Sequence, residues 1–259
     1  MSKISVNVYC FKDLDTKSKI DLIKNLGYDE FFVSTHDVDD TIKMEEQISY
    51  AKSISLGLTM IHCSYIPQML NDFWLDSEIG DEVEKSYIEQ IERCGKYTDN
   101  FVVHLHGDKN SITSQIGIER IKRILKVCEK YNCNLAVENL FSYDEIPYIF
   151  KNISHPLLKI CFDCWHRNFL TKNFDVLKDF GEFVSCLHLH DNHGLIDEHN
   201  ILGSGNINLK SLAEGLKNKN LVLSAEVKFK EGNIKELLEK NKIALLNLNK
   251  MIMECENKK

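Results

Sequence analysis

Residues 185–206 read SCLHLHDNHGLIDEHNILGSGN, and the fold can be worked out from how this stretch begins and ends. It opens as a strand: Cys186, His188 and His190 fall on one face, and Leu187, Leu189 and Asp191 on the other. It then breaks into a loop that carries Asp197 and His199 and closes on Gly203 and Gly205. Histidine and carboxylate at this density belong to side chains that bind a divalent cation or move protons near neutral pH. A strand ending in a ligand and followed by a functional loop is the repeating unit of a barrel with its chemistry at one rim. If the reading holds, other strands must deliver similar residues at the same depth.

Working outward, eight apolar runs recur, at 5–10, 31–34, 58–62, 101–104, 135–138, 158–163, 183–190 and 221–227. Helix-like stretches follow them at 16–26, 44–56, 82–97, 116–131, 143–151, 174–180, 209–217 and 234–254, and a long loop with Pro67 precedes the third. Strands alternating with helices imply parallel pairing, and eight repeats imply closure into a single (β/α)8 TIM barrel. The 259 residues match the ~250 typical of that fold. No linker or low-complexity tract divides them, so residues 1–259 are expected to form one domain.

Composition narrows the function class. Net charge is −7 with no basic run, so no footprint for nucleic acid is visible. No apolar run approaches the ~20 residues needed to cross a bilayer. Nine scattered cysteines without a signal peptide point to a reduced, cytoplasmic protein.

The ends of the runs supply the ligands. His62 ends the third, His104 the fourth and Glu138 the fifth; Asp163 and His166 follow the sixth, His188 lies in the seventh and Glu226 in the eighth. With Asp197 and His199 they form a metal-competent set on one rim. The first two runs offer no such ligand, Cys10 being the best of the first and His36 trailing the second. His106 and His190 lie two residues beyond His104 and His188 on the same faces, and either could replace its neighbour, but the earlier ones are expected as ligands because they sit nearer the strand run.

Plainer readings exist for each residue. A single histidine at a strand end is usually a satisfied structural group. Arg167 and Lys228 could pair with the buried carboxylates in place of a metal. Cys161 and Cys164 form a CxxC without a second pair, which fits ordinary packing. Gly203–Asn206 fits a tight turn or, alternatively, a backbone cradle for phosphate. Trp165 walls a pocket or simply packs. Asp37, Asp39 and Asp40 read as a solvated acidic loop.

Taken together, Val137-Glu138-Asn139, Asp163-Cys164-Trp165-His166, His188-Leu189-His190-Asp191-Asn192, Asp197-Glu198-His199, Leu202-Gly203-Ser204-Gly205-Asn206 and Ala225-Glu226 resemble the xylose-isomerase-like barrel superfamily. That superfamily holds sugar isomerases and epimerases and also endonuclease IV. In the isomerase branch the resemblance implies one metal held by Glu138, Asp163, His188 and Glu226, with His166 facing substrate. In the endonuclease branch it implies three zinc ions: one on His62, His104 and Glu138; one on Glu138, Asp163, His188 and Glu226; one on His166, Asp197 and His199. The sixth-strand motif differs from the endonuclease Asp-Thr-Cys-His. The residues after His188 also follow the isomerase-like members, and the first two strand-end loops are acidic, with Asp13, Asp15, Asp37, Asp39 and Asp40.

The expectation is therefore a metal-dependent isomerase or epimerase of a sugar or sugar phosphate. Its partner would be a small sugar, with neither nucleic acid nor membrane, and the sequence leaves oligomeric state open. Glu138 and Glu226 would be base and acid around an enediolate, with His166 as third catalytic group and His62, Trp165 and Lys228 at the substrate. One to three ions are expected, zinc before manganese because so many ligands are imidazoles. An endonuclease IV-like phosphodiesterase acting at abasic sites is the alternative.

Overall fold

The computed structural model describes residues 2–11, 14–35, 41–109, 112–140, 144–169, 175–194 and 196–257. Asp13, His36, Asp37, Asp39 and Asp40, and the expected helix starts Tyr143 and Phe174, lie outside them. The strands are β1 (Ile4–Asn7), β2 (Glu30–Ser34), β3 (Gly57–His62), β4 (Asn100–Val103), β5 (Asn134–Glu138), β6 (Leu158–Asp163), β7 (Val184–His188) and β8 (Leu223–Ala225). All pair in parallel in the order β7-β6-β5-β4-β3-β2-β1-β8. The ring closes through a thin seam. Leu189 bridges Ala225, its N–H donating to Ser224 O at 2.9 Å while Glu226 N–H returns to Leu189 O at 3.1 Å. The chain is thus a single eight-stranded α/β barrel.

Among the described residues the helices are α1 (Thr16–Asn25), α2 (Thr41–Ser53), α3 (Glu78–Cys94), α4 (Gln115–Tyr131), α5 (Glu145–Asn152), α6 (Cys164–Phe169), α7 (Val176–Asp179), α8 (Leu209–Leu216) and α9 (Ile234–Glu256). The larger ones follow from amphipathic spacing and polar caps. In α4, Ile118, Ile121, Leu125 and Cys128 bury one face, and the Ser114 hydroxyl accepts from Gly117 N–H at the start. The stretch with Pro67 is not a plain loop but a 3-10 helix, Pro67–Trp74, with proline in its first turn.

Strand parity places the site. Phe32, Met60, Val102, Ala136, Cys161 and Cys186 pack together as a cluster of their own inside the ring. Two residues further along their strands stand Ser34, His62, His104, Glu138, Asp163 and His188, one layer higher on the same face. The ligand types therefore share a layer because each sits one pleat period above a barrel-interior residue.

Candidate metal centre and cavity

Glu138 is the hub of that layer. Its Oε2 lies 2.9 Å from His104 Nε2, 3.4 Å from His62 Nε2 and 3.1 Å from His188 Nδ1. Its Oε1 lies 3.1 Å from His166 Nδ1. His188 Nδ1 is also 3.3 Å from Glu226 Oε2 and 4.0 Å from Asp163 Oδ2. Glu226 receives on its other oxygen the Tyr9 hydroxyl, at 2.8 Å. The first strand thus contributes through Tyr9, one pleat period above the buried Asn7, whereas Cys10 packs in the outer core.

Asp163 joins two roles. Its Oδ1 accepts the N–H groups of Trp165 and His166, at 2.7 and 2.9 Å, and so caps α6. Its Oδ2 lies 3.0 Å from His190 Nε2. That cap explains why CWHRNF turns helical straight after a strand, and why Trp165 and His166 face the cavity.

Asp197 and His199 arrive on the loop after β7. His199 Nε2 lies 2.7 Å from Asp197 Oδ2, its Nδ1 is 3.2 Å from the Glu226 carbonyl, and its ring stacks on His190 at 4.3 Å. His199 adopts φ 50°, a left-handed conformation uncommon outside glycine, which these contacts hold in place. The loop is folded around Asp191. Its Oδ2 accepts Gly203 N–H at 2.8 Å, and its Oδ1 accepts Asn192 N–H at 2.9 Å and Ile207 N–H at 3.1 Å. A side chain at Gly205 would meet Asn192 O at 2.2 Å. The turn thus encloses a carboxylate of its own chain, and Gly203 N–H is not left to cradle phosphate.

The charges are set by burial and by one another. Burial alone would raise Glu138 and Glu226, but the facing imidazoles, His188 above all, hold both carboxyls well below the usual range. Burial alone would likewise lower His188 and His166. Instead Glu138 and Glu226 push His188 up to about 10, and Asp163 and Glu138 push His166 up to about 9. Burial dominates at His104 and lowers it, which favours the neutral, ligating form.

These residues fit a divalent ion. Among the described residues, His188 Nδ1 has two carboxylate oxygens near it yet no aligned hydrogen-bond partner, as expected when lone pairs converge on a common point. Donors about 2.0–2.2 Å from one ion stand roughly 3.0–3.5 Å from each other, close to the separations around Glu138. Within the described residues, ligand atoms lie within 4.8 Å of one another in four triplets: His62/Glu138/His188, Glu138/Asp163/His166, Asp163/His190/Glu226 and His190/Asp197/His199. His166 thus groups with Glu138 and Asp163, and His190 with Asp197 and His199. Arg167 pairs with Asp175 at 2.7 Å, so it does not neutralise the central carboxylates.

A cavity of about 490 Å³ opens over the cluster. Tyr65, Leu70, Leu140 and Trp165 give it apolar walls, and Lys228 and Asp197 mark its outer edge. Tyr65 covers His104, with ring centroids 4.2 Å apart. Sequence reasoning missed Tyr9 and Tyr65, which are not metal-type residues; the inward parity of β1 was the available signal for Tyr9. Cys161 lies in the barrel-interior cluster and Cys164 meets the His190 carbonyl at 3.0 Å, so the CxxC is packing.

A family model described as xylose isomerase-like TIM barrel matches residues 20–243. Uncharacterized protein MJ1614 of Methanocaldococcus jannaschii is 29% identical over 135 residues, 47% of this chain and 53% of that one, so the match spans about half of each protein. The structure of a D-psicose 3-epimerase from Clostridium cellulolyticum H10 superposes with TM-score 0.78 at 16% identity, covering 96% of this chain and 99% of that one. The IolI protein, solved with a bound zinc atom, superposes with TM-score 0.71 at 15% identity over 99% and 98% of the two chains. No helix among the described residues is long and apolar enough to cross a membrane.

Proposed function

Since the chain belongs to the xylose isomerase-like TIM barrel family, we propose that it is a divalent-metal-dependent isomerase or epimerase. Its substrate is a sugar or sugar phosphate that loses a proton next to a carbonyl. The observation that carries this reading is the pair Glu138 and Glu226: two ionised carboxylates at 3.1 and 3.3 Å from one imidazole nitrogen, both on the wall of one cavity.

Glu138, Asp163, His188 and Glu226 would hold the ion, zinc before manganese, with His62, His104, Asp197 and His199 available for further ions. When bound, the ion supplies Lewis acidity that lowers the cost of an enediolate. The rest falls to the protein. Glu226, oriented by the Tyr9 hydroxyl on Oε1, takes the proton from the carbon beside the carbonyl. Glu138 serves the opposite face, and return of the proton there inverts the centre. Return to the neighbouring carbon isomerises the sugar instead. His166, protonated through the nearby Asp163 and Glu138, donates to the sugar oxygen on which charge develops. Trp165 and Tyr65 exclude water, while His62 and Lys228 contact the substrate. The scattered, reduced cysteines support a cytoplasmic location for this activity.

The test is elemental analysis of protein purified without chelator, followed by solvent deuterium exchange into a ketose panel. We expect bound zinc or manganese and exchange at the carbon next to the carbonyl. A protein that neither holds nor takes up a divalent metal defeats the assignment. The closeness of His62 and His104 to Glu138 favours one second reading, a phosphodiesterase with three ions; three zinc equivalents and cleavage at abasic DNA sites are its signature.

A further inference from the structure

The cavity over the ligand cluster has a neighbour. A second cavity, of about 330 Å³, opens beside its mouth and shares His199 and Lys228 with it. Lys230 lines this second space. The chain beyond β8 alternates: Val227 and Phe229 pack into the core, whereas Glu226, Lys228 and Lys230 line the two cavities. Its backbone is held at three successive residues. Val227 N–H donates to Asn7 Oδ1 at 3.0 Å, Lys228 N–H to His199 O at 3.0 Å and Phe229 N–H to Cys10 O at 2.7 Å. A track therefore leads from a residue of the ion cluster outward over two ammonium groups. At extended-chain spacing each step of that track is roughly 6.5 Å, the span from the carbonyl of a ketose to a phosphate on its terminal carbon.

The charges along the track are unmatched. Among the described residues Lys228 is the one lysine or arginine on the wall of the first cavity. Neither its ammonium nor that of Lys230 has an ion-pair partner among the described residues. The nearby carboxylates are turned elsewhere. Asp197 meets His199 at 2.7 Å, and Glu198 accepts from the N–H of His193 at 2.6 Å and lies 2.9 Å from its ring nitrogen. Glu231, the remaining carboxylate of the second cavity, is exposed and makes no ion pair with either lysine. His106, on the opposite part of the wall, offers no alternative anchor, because its Nδ1 faces Glu145 Oε2 at 3.2 Å with both side chains wholly buried. One solvated lysine is ordinary on a surface. Two on the same face, above a residue of the ion cluster and at the junction of two cavities, make a receptor for an anion. A phosphate monoester, close to a dianion at neutral pH, matches two ammonium groups better than a carboxylate does.

We propose that the substrate is a phosphorylated ketose, its carbonyl end at the ion cluster and its terminal phosphate held between Lys228 and Lys230. This choice of substrate class rests on the isomerase reading above. The second cavity gives the phosphate its room and leaves the first to the sugar carbons.

The full-length, metal-loaded protein would be assayed by solvent deuterium exchange and calorimetric binding. The probes are D-ribulose and D-fructose against D-ribulose 5-phosphate and D-fructose 6-phosphate, pairs that differ only in the phosphate. We expect tighter binding and higher kcat/KM for the phosphates. Lys228→Met and Lys230→Met should each raise KM for the phosphorylated ketose about 10- to 100-fold, drawing its kcat/KM towards that of the neutral sugar, with metal content unchanged. Both lysines are exposed, so the variants should melt with the parent. Lys228→Arg and Lys230→Arg keep the charge and should keep the preference. Equal kcat/KM within each pair in the parent protein overturns the proposal. So does a preference for phosphate that survives both Met variants and vanishes only when the metal is removed, since the phosphate would then sit on the ion. Phosphate- and lysine-dependent binding without exchange on any ketose sinks the isomerase reading and leaves the anion site standing. Exchange confined to the neutral sugars does the reverse, and no binding of any of the four sinks both.

Discussion

Replacing Glu138 with Gln tests the hub directly. The change is nearly isosteric but removes the charge that faces His62, His104, His166 and His188 at 2.9–3.4 Å. Removing one partner of a buried charge pair costs about 3–5 kcal/mol, and a chain of this size loses roughly 2–4 °C of melting temperature per kcal/mol. Metal-stripped Glu138→Gln should therefore melt roughly 6–20 °C below the metal-stripped parent at pH 7.

The pH dependence gives a sharper signature. His188 and His166 are raised to about 10 and about 9, so their contribution to the metal-free fold is complete below about 6.5 and is lost as pH rises towards those values. Each retained proton gives a slope of about 1.4 kcal/mol per pH unit in that window, stability falling as pH rises. Without the Glu138 charge both histidines titrate lower, and the slope between pH 7 and 9 should flatten. Thermal melts of chelator-treated protein across that range read the slope; metal titration reads the ligand role, with affinity expected to fall at least about 100-fold. Full metal affinity together with an unchanged slope would refute the reasoning.

Three further outcomes are expected. Metal binding at pH 7 should release protons, because the protons on His188 and His166 supply the positive charge that the ion replaces; calorimetry in buffers of different ionisation enthalpy measures the number, and zero release contradicts the pKa directions. Asp191→Ala leaves the Gly203 and Ile207 N–H groups without their acceptor, so it should cost about 2–4 kcal/mol and raise KM through the Asp197–His199 arm, with the Glu138 cluster still loaded. An abasic-site oligonucleotide should stay intact at physiological salt with zinc or manganese supplied, because the chain carries −7; nicking that weakens steeply with salt favours the phosphodiesterase.

Much of this was legible because a pleat repeats every second residue. His62, His104, Glu138, Asp163 and His188 could be placed on one rim from where their strands end. Other features depend on contacts that no local pattern encodes. CWHRNF has no amphipathic repeat and becomes α6 only because Asp163 caps it. The 3-10 helix at Pro67–Trp74 is held by Arg120, whose guanidinium donates to the carbonyls of Phe73 and Leu75, each at 2.7 Å, from a helix far along the chain. Between His104 and His106, and between His188 and His190, the sequence favours the earlier member only on nearness to the strand run, because both members of each pair share a face. Their partners, Glu145 and Asp163, come from other strands and helices.

The seam between β7 and β8 gives the cluster a mechanical meaning. These strands meet through Leu189 alone, whereas β5 and β6 share four residue pairs in register. His188 and Glu226 stand on either side of that junction, 3.3 Å apart. An ion gripped by both would act as a rivet across the narrowest join in the ring. Amides along the seam would then exchange with solvent more slowly in the loaded protein, and unzipping of the barrel would begin where the rivet is drawn.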